Sequence, residues 1–148
     1  MNPLPCIAIT AGEPAGIGLD LCVMLAQHAI DAQIIVIADQ NALANRAALI
    51  NLPISIEPYS TDAQHKHVGD GTLTVLHLPV AEAVTAGKLN PANSHYILDT
   101  LKVAMDGCLS HRFDAMVTAP IQKSTINDAG IAFTGHTEYL AAYTDTQH

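Results

Sequence analysis

The stretch that decides the fold is residues 6–38, CIAITAGEPAGIGLDLCVMLAQHAIDAQIIVIA. It opens on a short apolar run, Cys6–Thr10, and closes on a second one, Ile34–Ala38, and both are of the aliphatic kind found in strands that are buried on two faces. Between them, apolar residues recur at helical spacing from Leu19 to about Gln27. A strand, a glycine-rich turn, a helix and a second strand in this order predict a βαβ unit with parallel strands.

The alternation of strands and helices continues beyond this unit. An alanine-rich segment from Gln40 to Ile50 predicts a second helix. Asn90 followed by Pro91 predicts the start of a third, because asparagine caps helices and proline tolerates the first helical position. A last helical stretch follows a Gly-His-Thr turn, and further strands are predicted at residues 54–60, 72–78 and 113–118. The whole pattern predicts an α/β fold built on a layered, mostly parallel sheet.

Composition limits the classes of function. The chain has 148 residues, 49% of them apolar and 14% charged, which is enough for one domain with a buried core. A net charge of −8 argues against nucleic acid and anionic membranes as partners. No apolar run is long enough to span a membrane, and the N-terminus MNPLPC lacks the basic head of a secretory signal. We therefore expect a cytoplasmic protein.

The cysteines and histidines do not form a metal-binding pattern. Cys6, Cys22 and Cys108 stand singly in apolar segments, so we predict reduced core residues. Among eight histidines only His65 and His67 lie close together, in the polar segment TDAQHKHVGDG, and no third ligand follows at a usual interval. We predict that this pair lies in a solvated loop, and we expect no metal ligands in this chain.

The first candidate site is the glycine-rich turn after the first strand, since ligands of open parallel sheets bind beyond the carboxyl ends of the strands. Its spacing matches neither the dinucleotide fingerprint nor a P-loop. Two interpretations stay open: a tight strand-to-helix turn, or an anion-binding turn that uses backbone amides. The pocket candidates in this turn are Gly12, Glu13, Gly16 and Gly18.

The second candidate site lies in VTAPIQK, residues 117–123, and in the later GHTE, residues 135–138. Thr118 falls at a strand end, and Lys123 is either a pocket cation or a surface charge. His136 and Thr137 stand at a predicted helix start, where an imidazole, a hydroxyl and free amides can meet one anion. The alternative is that Thr137 only caps the helix.

Three ordered motifs, GEPAGIG, VTAPIQK and INDAGIAFTGHTEYLA, resemble the N-terminal part of the 4-hydroxythreonine-4-phosphate dehydrogenase family of vitamin B6 biosynthesis. The resemblance implies an isocitrate/isopropylmalate dehydrogenase-like fold and a homodimer. It also implies NAD as cofactor and a divalent metal, either zinc, magnesium or cobalt. The implied reaction oxidises the 3-hydroxyl of 4-phosphohydroxy-L-threonine, and the product then loses carbon dioxide.

Carried over by position, the resemblance makes His136 and Thr137 substrate-binding residues, and it assigns no catalytic residue in this chain. Members of the family usually have Asp where this chain has Glu13. They are also well over twice as long, and their metal-binding histidines lie beyond the matched region. We therefore expect residues 1–148 to be the N-terminal part of such an enzyme, with an incomplete sheet and no activity alone.

Two other functions stay open. A dehydrogenase for a related four-carbon sugar acid phosphate would use similar motifs on a substrate that lacks the amino group. A non-catalytic phosphate-binding module would need neither the metal nor NAD.

Overall fold

The computed structural model describes residues 4–145. Strands and helices alternate over most of the chain, and a single turn of 3-10 helix, Pro91–Asn93, precedes the longest helix. In chain order the elements are β1 (Cys6–Thr10), α1 (Gly18–Leu25), β2 (Ile30–Ala38), α2 (Gln40–Leu49), β3 (Ser55–Pro58), β4 (Lys66–His67), β5 (Thr72–His77), α3 (Ser94–Leu109), β6 (Ala115–Thr118), α4 (Lys123–Asp128) and α5 (His136–Asp145).

Five of the strands form a parallel sheet in the order β3-β5-β2-β1-β6, and the short β4 pairs antiparallel with the start of β2. The predicted α/β class with a mostly parallel sheet is therefore confirmed. All five parallel strands end at the same edge of the sheet, where β1 and β6 are neighbours. Thr10 and Thr118, the last residues of these two strands, are partners in register.

Helices cover both faces of the sheet. On one face α1 and α2 pack on a core cluster that includes Val36 of β2 and Val75 of β5. On the other face α3 buries Ala104 against Ala8 and Ile35. Alternation along each strand sends successive side chains to opposite faces, as expected for a sheet covered on both sides. Among residues 4–145 no helix is long and apolar enough to cross a membrane.

Local capping explains where two helices begin. The Asp39 carboxylate accepts from the amides of Asn41 and Ala42 at 2.8 and 3.0 Å, and α2 starts at the next residue, Gln40. Asn90 accepts from the Ala92 amide at 3.0 Å ahead of the turn that leads into α3. The predicted start of the third helix at Asn90 and Pro91 is thus confirmed.

The fold corrects several predictions. The second strand starts at Ile30 rather than at Ile34, and α4 was not foreseen. The prediction of a solvated His65–His67 pair is wrong, because His65 is 8% and His67 is 4% exposed. His67 lies in β4, where its Nε2 pairs with the Leu25 carbonyl at 2.7 Å. The contact of His67 joins residues 42 positions apart, so a local polar pattern did not reveal it.

Candidate functional site

The candidate site lies at the edge where the parallel strands end. Thr10 is fully buried there and stands beside Thr118, which is half-buried. The hydroxyl of Tyr96, in the first turn of α3, accepts from the amide of Asp39 at 2.9 Å, directly after β2. The start of α3 is therefore tied to this edge of the sheet.

The β1–α1 loop, residues 11–17, packs closely on the chain that leaves β6. The Glu13 amide donates to the Pro120 carbonyl at 3.1 Å. Gly12 has φ +75°, and a Cβ there would overlap the Pro120 carbonyl oxygen. A Cβ on Gly18 would overlap the Ala11 carbonyl oxygen. At both positions glycine is required for close backbone packing.

Two amides of this loop have acceptors within the loop. Ala15 donates to Glu13 Oε1 at 3.1 Å, and Gly16 donates to the Glu13 carbonyl at 2.9 Å. A Cβ on Gly16 would meet that same carbonyl oxygen at 3.3 Å. These two amides have acceptors, whereas α1 begins without a side-chain cap, so both the tight turn and the anion-binding turn stay predictions.

Arg46 holds the loop from the side of α2, and this role was not predicted from the sequence. Its guanidinium donates to the carbonyls of Gly16 and Pro14 at 2.7 and 3.0 Å and to Asp20 Oδ1 at 3.0 Å. The side chain is 5% exposed. The sequence signal for this role was an arginine within an alanine-rich helix of an acidic protein. If such a guanidinium is buried, it must find several hydrogen-bond acceptors.

Glu13 is the buried acid of the loop, with 4% exposure. Its Oε1 accepts from the Ala15 amide, whereas its Oε2 is buried and has no hydrogen-bond partner. Burial raises the pKa of Glu13 above its ordinary value, and the bond from Ala15 opposes this shift. One carboxyl oxygen is thus left for a further donor.

His136 and Thr137 form the first turn of α5. This helix runs along α3 in the same direction: Tyr143 donates to Asp106, and one turn earlier Tyr139 lies near Asp99. Its first turn therefore lies at the end where α3 begins. Since α5 starts at His136, Thr137 is inside the helix and does not occupy the cap position.

The side chains of His136 and Thr137 differ in their exposure to solvent. His136 is half-buried, and its Nε2 is buried without a hydrogen-bond partner, whereas Thr137 is exposed. The ring of Phe133 meets the imidazole edge-on at 6.4 Å between centroids. Burial lowers the pKa of His136, so the imidazole favours its neutral form. Lys123, at the start of α4, is exposed.

Three side-chain atoms in the described part of the chain are buried without a hydrogen-bond partner: Thr10 Oγ1, Glu13 Oε2 and His136 Nε2. Buried polar atoms are nearly always paired, so an unpaired one calls for an explanation. All three belong to segments at the carboxyl edge of the sheet. This edge is the usual ligand position in an open parallel sheet.

The described residues do not form a metal centre. Within residues 4–145 no group of three or more His, Cys, Asp or Glu side chains is placed to hold a metal ion. The cysteines are free thiols; Cys6 and Cys22 are buried as predicted, whereas Cys108 is only half-buried. Burial raises the pKa of Cys22 to about 12, which keeps the thiol protonated.

The fold is that of an α/β protein with a parallel sheet, and the candidate site lies at its carboxyl edge. Comparison with known proteins makes this more specific. The chain belongs to the family described as pyridoxal phosphate biosynthetic protein PdxA, whose sequence pattern matches residues 30–148. The predicted family resemblance is confirmed.

Individual relatives agree with this assignment. The chain is 51% identical over 146 residues to a 4-hydroxythreonine-4-phosphate dehydrogenase of Chromobacterium violaceum, covering 99% of this chain and 44% of that relative. A crystal structure of a 4-hydroxythreonine-4-phosphate dehydrogenase from Burkholderia phymatum superposes with a TM-score of 0.87 at 27% identity, covering 97% of this chain and 44% of that one. The chain thus spans less than half the length of these relatives.

A more distant structure shows the fold alone. A terephthalate 1,2-cis-dihydrodiol dehydrogenase from Burkholderia xenovorans superposes with a TM-score of 0.68 at 18% identity, covering 87% of this chain and 38% of that chain. The predicted isocitrate/isopropylmalate dehydrogenase-like fold class is confirmed over the matched length.

Proposed function

We propose that residues 1–148 are the N-terminal part of an NAD- and metal-dependent dehydrogenase that oxidises and decarboxylates 4-phosphohydroxy-L-threonine. The observation that carries the proposal is the buried, unpartnered Nε2 of His136 in the first turn of α5. Helix N-termini attract anions, because their first amides lack intrahelical partners. An imidazole and the Thr137 hydroxyl at such a position suit a phosphate group.

In this proposal the residues of this chain bind and orient the substrate. His136 and Thr137 hold the phosphate end of the substrate. Gly12, Gly16 and Gly18 allow the β1–α1 loop to pack at the edge of the sheet, where Glu13 and Thr118 lie. Lys123, exposed at the start of α4, adds a positive charge. We assign no catalytic residue among them.

The cofactors in this proposal are those that the family resemblance implies. NAD and a divalent metal, zinc, magnesium or cobalt, would bind through residues outside this chain, and a homodimer would complete the enzyme. A divalent metal would polarise the substrate hydroxyl and the carbonyl that forms from it. Because the described residues offer no metal centre, we expect residues 1–148 alone to lack turnover.

The experiment compares a full-length enzyme that carries this sequence with residues 1–148 alone. Both receive 4-phosphohydroxy-L-threonine, NAD and a divalent metal, and the formation of NADH and carbon dioxide is followed. We expect turnover by the full-length enzyme only. Metal-dependent turnover by residues 1–148 would contradict the proposal that the metal and NAD bind through residues outside this chain. Absence of turnover by the full-length enzyme would contradict the proposed substrate.

A further inference from the structure

The segment between α4 and α5, residues 129–135, is the part of the INDAGIAFTGHTEYLA motif to which the proposed function assigns no role. One residue of α4 bonds to this segment at two points. Asn127 Oδ1 accepts from the Phe133 amide at 2.9 Å, and the Asn127 carbonyl accepts from the Gly130 amide at 2.9 Å. Asn127 therefore holds the chain that leads from α4 to His136.

Phe133 is buried, with 4% exposure, although both of its neighbours in the chain are exposed. Its side chain belongs to the core cluster that includes Leu101 and Ile126. The same ring meets the His136 imidazole edge-on, at 6.4 Å between centroids and 82° between the ring planes. Because side chains in a packed core have few orientations, Phe133 presents a fixed surface to one side of the imidazole.

The imidazole needs such support, because its buried nitrogen is held by nothing else. Within residues 4–145 no hydrogen bond reaches Nε2 of His136. An imidazole can turn about two side-chain bonds, and each rotamer points its nitrogens in another direction. Ordering a side chain at the moment of binding costs affinity, so a ring that is ordered beforehand binds better. Contact with a buried ring supplies this order and leaves the nitrogen unused.

We propose that Asn127 and Phe133 are positioning residues for His136. The Asn127 carboxamide holds the Phe133 backbone, and the Phe133 ring holds the imidazole in the orientation that leaves Nε2 free for the phosphate group. The inference rests on the proposed function and makes its phosphate site more specific. Neither residue contacts the ligand, so both act on the reaction only through His136.

The test removes each contact in the full-length enzyme and measures kcat/KM for 4-phosphohydroxy-L-threonine per folded molecule. Asn127→Ala removes the acceptor of the Phe133 amide, and we expect kcat/KM to fall about three- to tenfold, the range of one hydrogen bond. Phe133→Leu keeps an apolar side chain but removes the flat ring. We expect a similar fall, because an aromatic pair contributes a similar energy.

Phe113→Leu is the matched control. It changes the other phenylalanine of the chain, which is also buried but belongs to a different core cluster. This control should lower the melting temperature, because a buried ring is lost from the core. It should leave kcat/KM of the folded enzyme at the wild-type level.

A double-mutant cycle separates positioning from general stability. In the His136→Ala background the imidazole is absent, so Asn127→Ala and Phe133→Leu should each lower kcat/KM by less than about twofold. A role that does not act through His136 would give the same factor in both backgrounds. That result, or wild-type kcat/KM in the two single variants, overturns the inference.

If Phe133→Leu does not fold, Asn127→Ala completes the cycle alone, because Asn127 is exposed and its replacement leaves the core intact. Failure of the proposed function is distinguishable from failure of this inference. It would show as no turnover of 4-phosphohydroxy-L-threonine by the wild type, or as wild-type kcat/KM in His136→Ala.

Discussion

The β1–α1 loop and the first turn of α5 both lie at the carboxyl edge, yet they use their polar groups in opposite ways. In the loop, the Glu13 and Gly16 amides and the Ala15 carbonyl are bonded within the protein. In the first turn of α5, the Gly135 carbonyl accepts from the Tyr139 amide at 3.1 Å. The His136 imidazole there keeps a buried nitrogen without a partner.

The two regions also differ in what their glycines do. In the loop, Gly12 allows backbone contact with the β6–α4 connection, and the amides of Glu13, Ala15 and Gly16 are occupied. The α5 turn has one glycine and a free imidazole nitrogen. We infer that the anionic end of the ligand lies at α5.

The largest effect should come from filling the space at Gly12. We expect Gly12→Ala in the full-length enzyme to lower the free energy of unfolding by about 3 kcal/mol, because the methyl group overlaps the Pro120 carbonyl in a strained backbone. Gly130→Ala is the matched control: its φ is +85°, but no atom lies within 4 Å of the added Cβ. That control should cost about 1 kcal/mol, the price of backbone strain alone.

Denaturant unfolding of both variants measures this difference. Equal losses would show that the loop can move away from the β6–α4 connection, and the contrast between the two regions would weaken.

The next effect concerns ligand contact at α5. Replacing His136 with alanine should lower kcat/KM of the full-length enzyme about ten- to hundredfold, since a polar partner of the phosphate is lost. The melting temperature should change little, because the imidazole Nε2 bonds to nothing in the protein. His95→Ala, which removes an exposed imidazole from the first turn of α3, is the control.

Thr137→Ala belongs to the same comparison, with a smaller loss expected because its side chain is exposed. Wild-type kcat/KM in both the His136 and Thr137 variants would remove this turn from the substrate site.

The smallest effect is the pH dependence of phosphate binding. Burial lowers the pKa of His136 below 6.5, so the unfolded chain binds this proton more readily. The stability due to the neutral ring is therefore present above pH 6.5 and is lost as pH falls through the lower folded pKa. A bound anion favours the charged ring and should raise the pKa of His136, so its affinity should gain up to about tenfold towards acid pH.

Proton NMR titration of the His136 ring, with and without inorganic phosphate, measures this pKa directly. His136→Gln identifies the resonance and should remove its contribution to the pH dependence. A pKa that phosphate leaves unchanged would place the anion elsewhere.

The sequence by itself determined the elements that depend on neighbours along the chain. Aliphatic runs predicted β1 and the second half of β2, and the Asn90–Pro91 pair predicted the start of α3, because strand pattern and capping are local properties. The ordered motifs also indicated the family, and they directed attention to His136 and Glu13.

Tertiary structure decided what depends on residues far apart in sequence. The two donors of Arg46 reach carbonyls 30 and 32 residues away, and His67 bonds to a carbonyl 42 residues away. Whether a buried polar atom is paired depends on every segment packed around it, so the free oxygen of Glu13 could not be foreseen. Local pattern fixes which elements form; long-range packing fixes which of their polar groups are left for a ligand.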